Sequence, residues 1–572
     1  MAGEAESPAN SVSDTPPGAA AVPAATPPFS TGRAAWLALG AALLLIGFVR
    51  LRLLHLPLER DEGEFAYGGQ LLLRGIPPFV HLYAMKLPGI YAAYALLMAL
   101  FGQSLTGIRI GLLVTHLVST VLLFVLARRL LGGLAAAVAA TAWAVAAMSP
   151  ESLGMAGHAT HFVVAFGLGG LLLLPPRLAT RPGRYFLAGL LLGLAFAMKQ
   201  SGAAFAAFGG VLVLWQARAY RGGSGESTSL PWRPVLPRLA AYAAGVLLPV
   251  ALLYVYLYAS GVWELAYFWN FLYAKEYAAL TPPGTGAAYL GEEWARWSLP
   301  YRLIWLAALL GLTAPFWSAD ARPARGFVWG LFAFGALAVV PGLYFRPHYF
   351  LQALPGAALA CGLLAVGLAE RLRARSRRGA GAAVTAGLLG ALPAVALLAA
   401  HRAYFFTAAP NDACRVTYFQ NPFPESLPIA EYLRKNTAPG ERVAVFGSEP
   451  QVFFYSGRDS ATGHVYMYPL MEPQRYARAM QEQMIQQVEA ARPRYLVLVS
   501  NNASWLAGPW SDGRLREWIA AYRRDFAPVA VADQVRHPDG TYETRYVWDA
   551  EARGYRPRSE FFVAVLRRRD SP

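Results

Sequence analysis

The chain is short of charge and of cysteine. Of its 572 residues, 15% are Asp, Glu, Lys or Arg, and two are Cys. Soluble globular chains carry about 25% charged residues, so a set of ordinary water-soluble domains is excluded. Two cysteines cannot build a disulfide framework. Cys361 lies in an apolar block and Cys414 outside one, so no pairing is expected. Coiled-coil and collagen periods are missing as well. Acidic residues are the scarcer sign, 34 against 50 basic, for a net +16. Residues 401–572 hold 22 basic and 19 acidic residues. The basic excess therefore belongs to the apolar first 400 residues. A nucleic-acid binder needs a basic soluble face, and none is found.

What is abundant is apolar sequence, 56% of the chain. It falls in blocks of about 16–22 residues, the length of a bilayer-spanning helix, and the blocks stop near His401. They lie at about 34–50, 88–101, 106–127, 132–148, 158–174, 185–198, 202–217, 239–259, 302–318, 327–342, 349–368 and 380–400. Cytoplasmic loops are enriched in Lys and Arg. That rule is satisfied if 88–101, which opens with Pro88-Gly89 and ends in Phe101-Gly102, lies in the interface. Eleven spans then remain. The inside loops carry Arg128/Arg129, Arg177/Arg181/Arg184, Arg218/Arg221/Arg233/Arg238, Arg322/Arg325 and Arg371 to Arg378. An odd number of spans from a cytoplasmic N-terminus puts 401–572 outside. Residues 1–32, rich in Ala, Pro, Ser and Thr, read as a disordered cytoplasmic tail. The block after them reads as a retained span and not as a cleaved signal. The expected fold is thus a polytopic α-helical membrane protein, with about eleven transmembrane helices over 33–400, interfacial helices and a C-terminal α/β extracytoplasmic domain over 401–572.

The outer face collects the unusual residues. The first outer loop, about 51–105, contains Glu59-Arg60-Asp61-Glu62-Gly63-Glu64. Asp61 with Glu64 three later is a capping-box pattern. Three carboxylates at a membrane boundary exceed what a cap needs, and they suggest a general base. Lys86 and Lys199 read either as snorkelling lysines or as cations for a lipid phosphate. Arg346, His348 and Tyr349 read as an interfacial belt or as an anion clamp. His158 and His161, at i and i+3, lie on roughly one helix face. With no Cys nearby and Glu151 a separate turn away, a zinc site is not expected there. The fourth outer loop, 260–301, is aromatic, and suits a membrane belt, sugar stacking or an isoprenoid cradle.

Beyond His401, the runs 442–447 and 495–500 are β-rich and flank a helical pattern at 471–491, a strand–helix–strand unit. Segments 527–535 and 542–548 flank Pro538-Asp539-Gly540, a hairpin signal. This domain lacks a nucleophile elbow, phosphate loop or metal spacing. Its expected role is to cover the outer face or to hold an acceptor.

The stretch Asp61-Glu62-Gly63-Glu64-Phe65-Ala66-Tyr67, then Gln70 and Leu71 to Gly75, then Lys86-Leu87-Pro88-Gly89-Ile90-Tyr91, resembles the first outer loop of GT-C class membrane glycosyltransferases. The similar group is the protein O-mannosyltransferase-like and lipid A aminoarabinose transferase-like enzymes, the family 39/83 type. Ala127 to Gly132 and Arg346-Pro347-His348-Tyr349-Phe350 continue the likeness, which covers roughly 34–370. It implies a polyprenyl-phosphate sugar donor, inverting transfer to a glycan, lipid or protein hydroxyl, and a base at Asp61 with Glu62 as the adjacent acid. Donor-phosphate cations map to Lys86 and then to Arg346 or Lys199, with His348, Tyr349, Glu64, His158 and His161 as further substrate-binding candidates. The second outer-loop acid of several members has only Glu151 here. The resemblance implies that no metal is required, although carboxylates at Asp61, Glu62 and Glu64 could hold a divalent cation. The composition suits a bacterial inner membrane. A transporter of a lipid-linked sugar is the rival reading. It predicts internal repeats and mid-span charges, which are not evident.

Overall fold

A computed structural model describes residues 32–174, 181–221, 232–375 and 379–570. The N-terminal tail and the loop holding Arg177 lie outside these. Every apolar block carries a helix. Gly32–Arg52, Leu105–Leu131, Val235–Ala259, Leu299–Trp317, Leu354–Arg375 and Gly381–Ala400 are each long and apolar enough to cross a membrane. Gly89–Phe101, Gly133–Ala146, Ala159–Leu173 and Pro182–Met198 are shorter apolar helices. At 1.5 Å per residue, the 13 residues of Gly89–Phe101 reach about 20 Å, short of a ~30 Å hydrocarbon core.

Small residues let the helices approach closely. A Cβ on Gly189 would lie 2.1 Å from the Tyr242 carbonyl oxygen, and one on Gly193 would lie 2.2 Å from that of Val246. The helices Pro182–Met198 and Trp232–Ala259 therefore touch backbone to backbone. This is how apolar helices gain dispersion contacts where lipid offers no hydrophobic drive. Leu354–Arg375 is the most enclosed of the long helices.

The C-terminal region holds one six-stranded mixed sheet. Its strands are β1 (Arg442–Phe446), β2 (Asp459–Ser460), β3 (Tyr495–Ser500), β4 (Phe526–Arg536), β5 (Tyr542–Trp548) and β6 (Phe562–Arg568), in the order β2-β1-β3-β6-β4-β5. β1 pairs parallel to β2 and β3, with the helix Ala477–Ala491 between β1 and β3 in the chain, so the expected strand–helix–strand unit is present. β4 and β5 form the expected hairpin, with Ala530 opposite Trp548 and Arg536 opposite Tyr542. The short edge strand β2 and the antiparallel β6 were not anticipated.

This region is docked on the segment 51–105 that follows the first long helix. Arg60 bridges to Glu449 at 2.8 Å, the Tyr67 hydroxyl accepts from Ser460 N at 3.0 Å, and Arg74 bridges to Asp459 at 2.6 Å. Tyr83 N donates to the Gly463 carbonyl at 2.7 Å. At Gly63 the fit leaves no room for a side chain, because a Cβ would meet Gln451 N at 2.5 Å.

Candidate active site

The helix Arg60–Leu73 starts at a capping box, but not the expected one. Glu59 is the N-cap: its side chain accepts from Glu62 N at 2.9 Å, and Glu62 accepts in return from Glu59 N at 3.2 Å. The box sits two residues earlier than the Asp61/Glu64 pattern suggested. Asp61 is thereby released from capping. It stands in the first helical turn, where the aligned peptide dipoles favour an anion.

Asp61 Oδ1 accepts from Lys86 Nζ at 3.0 Å and from the Tyr466 hydroxyl at 3.1 Å. His158 Nδ1 stands 3.7 Å from Asp61 Oδ2. Burial alone would raise the Asp61 pKa. The Lys86 ammonium and the two nearby histidines, His158 and His348, overcome this and hold the carboxyl well below the usual carboxylate range. Lys86 also stands 3.8 Å from Glu64 and 5.2 Å from the Phe65 ring centroid. Burial is outweighed there by Asp61 and Glu64, which keep the ammonium charged. The side chains of Asp61 and Lys86 stay about a quarter exposed, 24% and 26%, so the pair is open to a ligand.

Glu62 sits differently from its expected role as the adjacent acid. It is fully buried and takes a two-pronged grip from Arg109, Nη1 to Oε1 at 2.5 Å and Nη2 to Oε2 at 2.9 Å. Gly157 N adds a third bond at 2.5 Å. Arg109 also donates to the carbonyls of Leu56, Pro57 and Met155. Glu62 and Arg109 therefore tie the segment around Leu56–Glu62 to the one around Met155–Gly157. The sequence reading missed Arg109, although a lone arginine one turn inside an apolar block was the available signal. Glu64 receives the Tyr91 hydroxyl at 2.5 Å, and burial raises its pKa. With Glu62 so engaged, Asp61 is the one of the three loop carboxylates that joins a candidate metal group among the described residues.

The two histidines read as a pair are separated. His158 stacks on His348, with ring centroids 3.9 Å apart and planes at 7°. His161 instead lies 6.3 Å from His116, whose Nδ1 accepts from Arg50 Nε at 3.1 Å. Asp61, His158 and His348 each offer a ligand atom within 4.8 Å of the others. Both ring nitrogens of His158 and Nδ1 of His348 are buried with no hydrogen-bond partner. Two imidazoles and a carboxylate suit a zinc-like divalent ion. The group was illegible in sequence because its members come from three separate segments.

Lys199, at the C-terminal end of Pro182–Met198, places its Nζ 3.8 Å from the Tyr349 ring centroid. Burial, and after it repulsion from Lys86, lower its pKa to about 7. Burial and the neighbouring His158 and Lys199 likewise hold His348 well below the ordinary histidine range. Arg346 is exposed, with its guanidinium carbon 5.6 Å from the Tyr344 ring centroid. Glu151 is bound to His401 at 2.7 Å. The aromatic segment 260–301 packs beside the site. Asn270 Nδ2 donates to the Lys86 carbonyl at 3.1 Å, Trp269 stacks on Tyr83 at 5.8 Å, and the Tyr273 hydroxyl donates to Glu472 at 2.6 Å. It does so through a π-helical turn, Phe268–Tyr273, a local distortion that often marks functional segments.

A family model described as dolichyl-phosphate-mannose-protein mannosyltransferase matches residues 86–221. No curated protein matches. Among solved structures, ArnT from Cupriavidus metallidurans bound to undecaprenyl phosphate is 18% identical, with a TM-score of 0.52. The match covers 93% of this chain and 97% of that one. The same protein in its apo state is 17% identical at the same TM-score and coverage. The archaeal oligosaccharyltransferase AglB from Archaeoglobus fulgidus, in complex with an inhibitory peptide and a dolichol-phosphate, is 13% identical with a TM-score of 0.51. That match covers 90% of this chain and 74% of AglB. The chain thus has the polytopic helical membrane fold with a C-terminal mixed sheet seen in these enzymes, and the resemblance to PMT- and ArnT-like GT-C glycosyltransferases holds.

Proposed function

We propose that this protein is a glycosyltransferase that moves a sugar from a polyprenyl-phosphate donor to an acceptor hydroxyl at the outer face of a bacterial inner membrane. Eleven spans and an extracytoplasmic C-terminal domain belong to this reading. The observation that carries it is the open Asp61–Lys86 pair, 3.0 Å long, at a helix N-terminus beside Lys199.

A polyprenyl chain stays in the bilayer, so its phosphate–sugar head must react at the ends of helices. The acceptor oxygen attacks the anomeric carbon of the sugar and the carbon–oxygen bond to phosphate breaks. Polyprenyl phosphate leaves with the bonding pair, and the acceptor proton goes to Asp61. One displacement inverts the anomeric centre. The leaving group is already an anion and is stabilised by fixed cations, Lys86 first and Lys199 when charged. In the free enzyme Lys86 keeps Asp61 acidic, hence a weak base. A donor phosphate competes for the same ammonium, and drawing it away raises the basicity of Asp61 when the substrate is in place. Tyr466 holds the carboxylate in line, and Glu62 with Arg109 anchors the loop. Where a divalent ion is bound, Asp61, His158 and His348 would hold it, and it would supply further positive charge.

The test is the anomeric configuration of the product, read by NMR after turnover of a defined polyprenyl-phosphate hexose or pentose. Inversion is expected. Retention would overturn the single-displacement mechanism.

A further inference from the structure

Leu105–Leu131 connects the candidate active site to a second feature at its far end. Arg109, which grips Glu62, lies near one end of this helix, and Arg128 and Arg129 close the other. The 19 residues between Arg109 and Arg128 correspond to about 28 Å, roughly a bilayer core. At that far end a lipid-facing groove runs between Gly32–Arg52 and Leu105–Leu131. Leu43, Leu44, Leu117, Val118, Val121 and Leu122 line its apolar, open stretch. A second hollow, lined by Trp36, Val125, Arg128 and Arg129, follows about one helical turn further along Leu105–Leu131.

The head of the groove is chemically distinct from its body. The Arg128 guanidinium carbon sits 4.9 Å from the Trp36 ring centroid, so the planar cation is held over the groove mouth and does not sweep freely through water. Arg129 donates to the Leu172 carbonyl at 3.3 Å, which fixes it to the C-terminal end of Ala159–Leu173. Among the described residues, neither arginine has a carboxylate within 4.0 Å. Both are exposed. The groove from Leu117 to Arg129 is about 18 Å long, close to half of a ~30 Å hydrocarbon core. That is the reach of one acyl chain in one leaflet.

We propose that this groove is a binding site for an anionic phospholipid, with its phosphate between Arg128 and Arg129 and one acyl chain along Leu44, Val118 and Val121. Two oriented arginines without an acid partner match a phosphate diester. A neutral zwitterionic lipid brings its own cation and matches poorly. The occupant is not the sugar donor of the transferase reading. A donor phosphate must lie at the Asp61 end, a bilayer core away. The inference therefore stands or falls independently of that reading.

The test is native mass spectrometry of the full chain, released from detergent with added phosphatidylglycerol, phosphatidylcholine or undecaprenyl phosphate. One phosphatidylglycerol should be retained roughly 10- to 30-fold more tightly than phosphatidylcholine, since each arginine near an anionic headgroup adds about fivefold. R128Q/R129Q should bring phosphatidylglycerol down to the phosphatidylcholine level. L44Q/V121Q, with both arginines intact, should also weaken retention, whereas millimolar inorganic phosphate should not displace the lipid. All these positions are surface-exposed, and the melting temperature of each variant in detergent reports whether it is folded. Equal retention of the two phospholipids, an unchanged folded R128Q/R129Q, or an unchanged folded L44Q/V121Q would overturn the proposal. Preferential displacement of phosphatidylglycerol by undecaprenyl phosphate at this groove would also overturn it, in favour of a donor path.

Discussion

Lys86 and Asp61 meet at 3.0 Å across 25 residues of chain, and the pair stays open to solvent on one side. A closed ion pair would be a structural staple. An open one is a site in which each partner is held for something else. In the proposed mechanism a donor phosphate replaces Asp61 as the partner of Lys86.

Lys86→Met removes both the proposed phosphate cation and the charge that keeps Asp61 acidic. Donor affinity should fall by about a hundredfold, in line with the loss of a charge-assisted contact. The acid limb of kcat/KM should also move. Burial raises the Asp61 pKa and Lys86 is the largest influence lowering it, so its removal lets the pKa climb. Activity, which needs the carboxylate, should then begin at higher pH than in the wild type. A pH–rate profile checks this, and an acid limb that stays in place would contradict it.

Among the described residues, Tyr466 is the one residue of the C-terminal region that bonds to Asp61, at 3.1 Å. Tyr466→Phe keeps the ring and loses this bond together with the longer one, 3.2 Å, to the Arg60 carbonyl. kcat should drop about tenfold, the scale of one hydrogen bond to a charged group, with KM little changed. Tyr468→Phe, which removes a bond to the Ala503 carbonyl instead, is the control. Equal effects of the two variants would mean that Tyr466 only supports the fold.

Lys199 has a pKa near 7 because burial and Lys86 oppose its charge. Its pKa is depressed, so the ammonium is present below about 7 and is lost as pH rises through it. Donor affinity should weaken between pH 6 and 8.5, with the midpoint pushed upward by a bound phosphate. Lys199→Met should weaken binding at low pH and flatten the dependence. Isothermal titration with polyprenyl phosphate at several pH values checks this.

Glu62 and Arg109 form a buried pair with 0% and 3% side-chain exposure. Breaking such a pair from one side costs about 3–5 kcal/mol. Arg109→Met should therefore lower thermal stability strongly. Asp61→Asn should leave it nearly unchanged, since Asp61 caps nothing. A melting comparison in detergent separates the two. Equal loss in both would mean that Asp61 is part of the scaffold.

Much of this architecture was legible in the chain. Apolar block length located the helices, and the cluster around Asp61, with Lys86 after it, drew attention to the first outer loop. The capping box was misplaced by two residues because Glu59 also fits an N-cap once its partner is Glu62. Sequence spacing paired His158 with His161, but the fold turns His158 toward His348, 190 positions away in the numbering. The roles of Tyr466 and Arg109 depend on distant segments closing over one another, which no local pattern encodes.

The most direct measurement is release of polyprenyl phosphate from a labelled polyprenyl-phosphate sugar by purified protein in lipid with acceptor extract, comparing wild type with Asp61→Asn. The account predicts turnover by the wild type and a loss of about 10²–10⁴-fold in a variant that melts at the wild-type temperature. Equal turnover by both proteins would remove Asp61 as the base and contradict the account at its centre.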